Sequence, residues 1–442
     1  MNAELDTTHD PALRSWVASA HVADCDFPIQ NLPLGVFSHG AGQPRIGVAI
    51  GDQVLDLARA QSQRLLDELP TALREACAAQ NLDPLAALGR PMLKALRQRL
   101  CTLLRLGDDH ASRTAECLVP LDAVDMKVST SVPNFSDFLT SIHHARNAGN
   151  IFRPGAPLMP NFLTLPIAYH GRASSVAVSG TPVRRPRGQT GSSDAASAVF
   201  GPSRALDMEV ELACWVGTGT ALGDDVALAQ APNHMLGLGL LNDWSARDFQ
   251  AWEALPLGPF LSKSFLTTVS PWVITLDALA PFHCAAVVRG DEAPPLLDHL
   301  NDTQDRARGG LDIAIDVQFS SAAMRAQRMA PICISRPNFS TQYWTVFQML
   351  AHQASNGCNL VPGDLLGSGT ISGPGRNELG CLLEMTENGR RPLELSNGEH
   401  RNYLHDGDEV ILTARCERDG FVGIGFGECR GRVVPAHGKE TP

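Results

Sequence analysis

A chain of 442 residues, 44% hydrophobic and 19% charged, is longer than a single packed core usually grows, so two domains are expected. The net charge of −11, from 36 basic against 47 acidic residues, disfavours a nucleic-acid partner and an anionic membrane surface, both of which need a basic face. Eleven scattered cysteines without a CxxC pair, a polar start (MNAELDTTHDPALRSW) and no run of about 20 apolar residues argue against zinc-finger spacing, a signal peptide and a membrane span. The expectation is a soluble cytoplasmic protein with reduced thiols.

Residues 1–20 read as a loose terminus. The segment Arg45-Ile46-Gly47-Val48-Ala49-Ile50 and the segment Gln53-Val54-Leu55-Asp56-Leu57 flank Gly51-Asp52, which predicts a tight hairpin. Residues 62–106 turn helical. Met92, Leu93, Leu96, Leu100, Leu103 and Leu104 recur at spacings of three and four, with Lys94, Arg97, Gln98 and Arg99 on other faces. This gives a first domain, a small β-unit followed by helices, over residues 1–125. From residue 126 to 442, short Val- and Ser-rich runs punctuated by glycine and proline predict a β-rich second domain. Within it, 186–204 reads as a mobile surface loop. A helix is predicted from Asn338 to His352 with Asn338 or Ser340 as N-cap, and the run from Asp408 to Val434 alternates again.

Three groups of residues carry chemistry. Leu206-Asp207-Met208-Glu209-Val210-Glu211-Leu212 alternates strictly, so a strand would put Asp207, Glu209 and Glu211 on one face, roughly 7 Å apart. That face is either a solvated acidic surface or a set of oxygen ligands for a hard cation, Ca²⁺ or Mg²⁺. The apolar run Met235–Leu241 leads to Asn242-Asp243, and a helix following it would align Asp243, Arg247 and Gln250 on one stripe. An acid, a guanidinium and an amide so stacked suit a metal-bound anion; the alternative is a surface Asp–Arg pair. In Asp137-Phe138-Leu139-Thr140-Ser141-Ile142-His143-His144, a helix would place Asp137 and His144 on one face. His144 could act as a general base, although a His pair alone is more often structural. HExxH, GxSxG and Walker motifs are absent, so zinc proteolysis, serine hydrolysis and P-loop chemistry lack support.

Longer motifs then point to a family. Leu158-Met159-Pro160-Asn161, Tyr169-His170-Gly171-Arg172-Ala173-Ser174-Ser175, Asn242-Asp243-Trp244-Ser245-Ala246-Arg247-Asp248, Pro256-Leu257-Gly258-Pro259-Phe260 and Ser368-Gly369-Thr370-Ile371-Ser372-Gly373-Pro374 closely resemble the fumarylacetoacetase family. So do Asp26-Phe27-Pro28-Ile29-Gln30-Asn31-Leu32-Pro33 near the start and Asp406-Gly407-Asp408-Glu409-Val410 near the end. The resemblance spans nearly the whole chain. It implies a β-rich α+β protein: a small SH3-like N-terminal β-domain, then a large mixed β-sheet catalytic domain of the fumarylacetoacetase fold, usually as a homodimer. The implied activity is metal-dependent hydrolysis of a carbon–carbon bond in a β-diketo acid, 4-fumarylacetoacetate giving fumarate and acetoacetate in tyrosine and phenylalanine breakdown. The implied Ca²⁺ (or Mg²⁺) ligands are Asp137, Glu209, Glu211 and Asp243, and the implied base is His144, oriented by Glu384. Arg247, Gln250 and Lys263 would stabilise charge, Arg153, Tyr169, Gln250 and Thr370 would contact substrate, and Lys263 and Thr267 would surround a second, structural Mg²⁺.

The chain departs from the family pattern at Leu139 and Ala254, where substrate-contacting tyrosines are usual, and at Leu266, where a glycine is usual. Losing two phenols implies an altered or enlarged acyl pocket, as in an acylpyruvate-type hydrolase. A keto acid decarboxylase or isomerase on the same metal site is a further alternative, disfavoured by the full-length match. A non-catalytic binding protein on the same scaffold is disfavoured by the intact site residues.

Overall fold

The computed structural model describes residues 5–191, 198–290 and 293–438. The strands Arg45–Ile50 and Gln53–Asp56 pair antiparallel, with Ile50 opposite Gln53. Gly51 at the turn has φ +56°, and a Cβ there would come within 2.3 Å of Ser19 Oγ, so glycine is required on both counts. Helices Leu57–Ser62, Thr71–Cys77, Asp83–Ala87 and Arg90–Leu104 follow. The longest buries Leu93, Leu96, Leu100, Leu103 and Leu104 as the spacing predicts. It also buries Arg97, which periodicity assigns to another face: its guanidinium donates to Thr8 Oγ1 at 3.0 Å and to the carbonyls of Asn31, at 2.6 Å, and Gln30. These bonds fasten the start of the chain. Residues 5–20 are therefore not a loose terminus; His9, Ser15 and Val17 are buried there.

A strand of the first region pairs with one of the second. Strand Leu34–Ser38 pairs with Arg45–Ile50 on one edge and, through Leu34 and Gly35, with Val273 and Trp272 on the other. One large mixed sheet continues from Trp272–Thr275 through Met235–Asp243, Val210–Val216, Leu365–Gly367 and Phe135–Leu139 to Ile167–His170. A five-stranded sheet, running Ile332–Ser335, Ala314–Ser320, Glu409–Cys416, Ile424–Val434 and Val183–Arg184, makes a second layer. Central strands covered on both faces read as continuous apolar runs, which is why Met235–Leu241 contains no polar residue.

Two predicted elements differ in detail. The helix expected from Asn338 to His352 is a 3₁₀ turn Phe339–Thr341 capped by Asn338, then a helix Val346–Ala354 capped by Thr345. Each polar residue satisfies its own short N-terminus, so the run divides. The loop expected over 186–204 holds a two-stranded ribbon, Arg187–Thr190 against Val199–Pro202, and the rest of that reading falls partly outside the described residues.

Candidate active site

Sheet register assembles the carboxylates. Asp137, on Phe135–Leu139, lies beside Gly367 in the parallel neighbour and opposite Tyr169 in the antiparallel one. Glu211 lies on Val210–Val216, and Asp243 ends Met235–Asp243, opposite Thr267. Asp137, Glu209, Glu211 and Asp243 each offer a carboxylate oxygen, and the four oxygens lie within 4.8 Å of one another. All four residues are buried. A solvated acidic face is thereby ruled out for Glu209 and Glu211.

The local geometry corrects three expectations. Strict alternation from Leu206 to Leu212 breaks at Met208-Glu209, leaving separate strands Leu206–Asp207 and Val210–Val216. The break turns Asp207 away from the cluster and onto Arg247 Nε, at 2.8 Å. Asp137 and His144 do not share a helix: Asp137 is on a strand, and His144 is near the start of helix Ile142–Phe152, capped by Ser141. Asp243 is likewise the end of a strand, and the next helix is only Arg247–Glu253, so Asp243 is not on a stripe with Arg247 and Gln250. Arg247 Nη1 instead meets Glu209 Oε1 at 2.7 Å and Gln250 Oε1 at 3.0 Å. The surface Asp–Arg pair is excluded, since both residues are buried and bonded elsewhere.

Charge decides what the cluster can hold. Lys263 Nζ donates to Glu209 and, at 2.8 Å, to Asp243 Oδ2; Thr267 Oγ1 donates to Asp243 Oδ1 at 2.6 Å, and the Tyr169 hydroxyl to Asp243 Oδ2 at 2.8 Å. Lys263 and Arg247, the latter shared with Asp207, cannot neutralise four ionised carboxylates, so full ionisation of the cluster calls for a cation. Asp137 Oδ1 and Glu211 Oε1 are buried without any hydrogen-bond partner. Burial and the neighbouring Asp243 push the Asp137 carboxyl up to about 8, and burial and Asp137 push Glu211 well above the usual range. Glu209 falls to about 2: burial opposes its ionisation, but Lys263 and Arg247 outweigh it. Orphaned acceptors in an excess of buried negative charge fit a hard, oxygen-seeking cation.

A His–Glu pair stands close enough to the cluster for His144 to help lower the Glu209 carboxyl. His144 Nδ1 lies 2.7 Å from Glu384 Oε2. Glu384 also accepts from Asn147 Nδ2 at 2.8 Å, Ser372 Oγ at 2.8 Å and Cys381 Sγ at 3.2 Å. Burial disfavours its ionised form, yet His144, Asn147 and Ser372 bring Glu384 down to about 2. His144, Cys381 and Glu384 could by proximity hold a metal, but burial and Glu384 push the Cys381 thiol well above its ordinary value, and both Glu384 oxygens are already engaged. A thiol held protonated is a poor ligand, so this group is a hydrogen-bonded His–Glu pair and a poor metal site.

The remaining residues are placed as follows. Thr370 is buried, just beyond Gly369, whose N–H donates to Glu211 Oε2 at 2.9 Å. Arg153 is exposed and donates to the Pro157 carbonyl at 3.3 Å. Leu139 is half-buried against the small apolar cluster of Ala145, Phe162, Tyr343 and Trp344; Ala254 is half-buried at the end of helix Arg247–Glu253, and Leu266 joins the main core. Sequence reasoning missed Asn147, Ser372 and Gly367. Asn147 stands three residues beyond His144 on one helix, a spacing that could have flagged it; Ser372 and Gly367 come from chain far from His144 and carry no local signal.

Family models match both parts of the chain. Residues 134–434 match the model described as fumarylacetoacetate hydrolase C-terminal, and residues 30–129 match fumarylacetoacetase N-terminal. The chain belongs to the fumarylacetoacetate hydrolase family. It is 45% identical over 434 residues to a fumarylacetoacetase of Oryza sativa subsp. japonica, covering 96% of this chain and 98% of that protein. It is 46% identical over 420 residues to the fumarylacetoacetase of Homo sapiens, with 93% and 97% covered, and 44% identical over 422 residues to that of Caenorhabditis elegans, with 93% and 97% covered.

Proposed function

We propose that this chain is a metal-dependent carbon–carbon bond hydrolase that converts fumarylacetoacetate and water to fumarate and acetoacetate, in tyrosine and phenylalanine breakdown. One observation carries the reading: four buried carboxylates converge with two orphaned oxygens beside a His–Glu pair. Asp137, Glu209, Glu211 and Asp243 would hold the cation, Ca²⁺ or Mg²⁺, which when bound supplies a Lewis acid for the dioxo group. His144 donates Nδ1–H to Glu384, which leaves the Nε2 lone pair free to take a proton from water. The hydroxyl so formed adds to the fumaryl carbonyl carbon, the carbon–carbon bond breaks, and its electron pair stays with the acetoacetate enolate, which then takes a proton at carbon. Arg247, Gln250 and Lys263 would stabilise that enolate charge. Tyr169 and Thr370 would contact substrate at the cluster, with Arg153 reaching it from the surface.

A panel of β-diketo acids, followed by loss of substrate absorbance with and without chelator, tests the assignment. Cleavage unaffected by chelation, or unaffected by His144→Ala, would sink it. A second reading, an acylpyruvate-type hydrolase with a widened acyl pocket, is favoured by one observation: Leu139 and Ala254 stand where the family resemblance implies hydrogen-bonding phenols.

Finer points belong to the same proposal. A second Mg²⁺ near Lys263 and Thr267 would rest on backbone carbonyls, because the Lys263 ammonium cannot ligate a cation. A homodimer is supported by the loop 255–261, where Leu255 is 90% and Leu257 97% exposed and Phe260 and Leu261 are also exposed. Cytoplasmic location is supported by cysteines that are all free of disulfides; no helix among the described residues is long and apolar enough to cross a membrane. The domain division near residue 125, with an SH3-like first unit, is supported by the short antiparallel strands of that region.

A further inference from the structure

Asp207 is the one acidic residue of the Leu206–Leu212 run that joins neither the cation cluster nor the His–Glu pair, yet it is wholly buried. Its carboxylate accepts four hydrogen bonds. Arg247 Nε reaches Oδ2 at 2.8 Å and Leu383 N reaches Oδ2 at 3.0 Å, while Leu382 N and Met208 N each reach Oδ1 at 2.8 Å. Leu382 and Leu383 open the helix Leu382–Met385, whose own N-cap residue, Cys381, makes no side-chain cap. Asp207 thus caps that helix from a distant strand. The helix carries Glu384, and Glu384 holds His144. On its other side Asp207 fixes Arg247, which meets Glu209 in the carboxylate cluster. Strand Leu206–Asp207 also pairs with Ser245–Ala246, the two residues that lead into Arg247, so backbone and side chain locate the guanidinium together.

We propose that Asp207 is a positioning residue that sets the two halves of the site relative to each other: the guanidinium of Arg247 beside the carboxylates, and the Glu384 helix behind His144. This rests on the roles given to His144 and Arg247 under Proposed function. An error of an ångström in either group costs orders of magnitude in rate, because positioned groups act only near their productive geometry.

The two arms can be separated in the full-length protein. Asp207→Asn keeps an oxygen for Leu382 N and Met208 N but turns an NH₂ group toward Arg247 Nε and Leu383 N, so it breaks the Arg247 arm and leaves the helix half capped; Asp207→Ala loses both arms entirely. With saturating Ca²⁺ and fumarylacetoacetate, kcat is expected to fall about 100-fold for Asp207→Asn and further for Asp207→Ala, with KM changed by less than about threefold. In a Glu384→Gln background the extra loss from Asn to Ala should vanish, since the helix arm acts only through Glu384. Asp207→Glu, which keeps the charge, should retain at least about a tenth of kcat and covers the case in which Asp207→Ala fails to fold. In chelator, Asp207→Ala should melt roughly 5 °C or more below the unsubstituted protein, because a buried guanidinium and two helix N–H groups lose their acceptor. A kcat within threefold of the unsubstituted protein, full multiplication of the Asp207→Ala and Glu384→Gln losses, or an unchanged melting temperature each overturns the proposal. His144→Ala is run alongside. If it keeps activity, the reading of the site fails; if it loses activity and the Asp207 variants do not, only this inference falls.

Discussion

Gly367 sits beside Asp137 in parallel register, and a Cβ on Gly367 would lie 2.6 Å from Asp137 Oδ1 and 3.0 Å from Glu211 Oε2. The missing side chain therefore leaves open the space between two carboxylates that carry orphaned oxygens. A methyl group there would wedge them apart and crowd any ion they share. Gly367→Ala is expected to weaken Ca²⁺ binding roughly 10- to 100-fold, by analogy with other small distortions around metal ligands. Isothermal titration of the chelator-stripped protein checks this; unchanged affinity would place the ion elsewhere.

With the cation absent, burial and neighbouring carboxylates disfavour the ionised forms of Asp137 and Glu211, so an ion that favours those forms should stabilise the fold. Ca²⁺ at 100 times its Kd should add about 2.7 kcal/mol by mass action. Thermal melts with and without EDTA should therefore differ by several degrees, and a melting temperature indifferent to EDTA would contradict a site built from these carboxylates.

Glu384→Gln keeps the shape of the His144 partner and removes its charge. The imidazole would then keep at most a neutral acceptor, which no longer stabilises its protonated form. We expect kcat to fall about 1,000-fold with little change in Ca²⁺ affinity. Steady-state kinetics beside calcium titration reads both; a parallel loss of ion binding would mean that the two groups are not separate.

The same residue sets an acid limit on stability. Glu384 is depressed from 4.5 to about 2 on folding, with burial opposed and overcome by His144 and the other donors. A depressed carboxyl contributes stability that is present above its unfolded value and is lost as pH falls through its folded value, here between about 4.5 and 2. The loss is on the order of 3 kcal/mol. Urea midpoints of the chelated protein and of Glu384→Gln, compared down this range, should converge; a constant gap would show that Glu384 is not the group titrating.

Ala254→Tyr restores a phenol at the end of helix Arg247–Glu253. If the pocket is widened there, KM for fumarylacetoacetate should drop about tenfold, the worth of one hydrogen bond to a charged group. A rise in KM instead would show that the wall is already filled by other atoms.

The acidic positions, the hairpin at Gly51 and the leucine stripe of Arg90–Leu104 were legible in the chain itself, because strand alternation and helical spacing are local properties of neighbouring residues. The same local reading failed where a partner from elsewhere took over. Arg97 is buried because carbonyls near the chain start receive it, and Asp207 leaves its expected face because Arg247 and the N–H groups of Leu382 and Leu383 draw it away. Asp137 and His144 sit on a strand and on a separate helix, not on one helix. The sequence by itself determined which side chains are available and roughly which elements bear them. Only the tertiary structure decided that Glu211, Gly367 and Asp137 face one another and that Glu384 stands behind His144. Those juxtapositions depend on sheet register and on residues up to 240 positions apart, which no local pattern encodes.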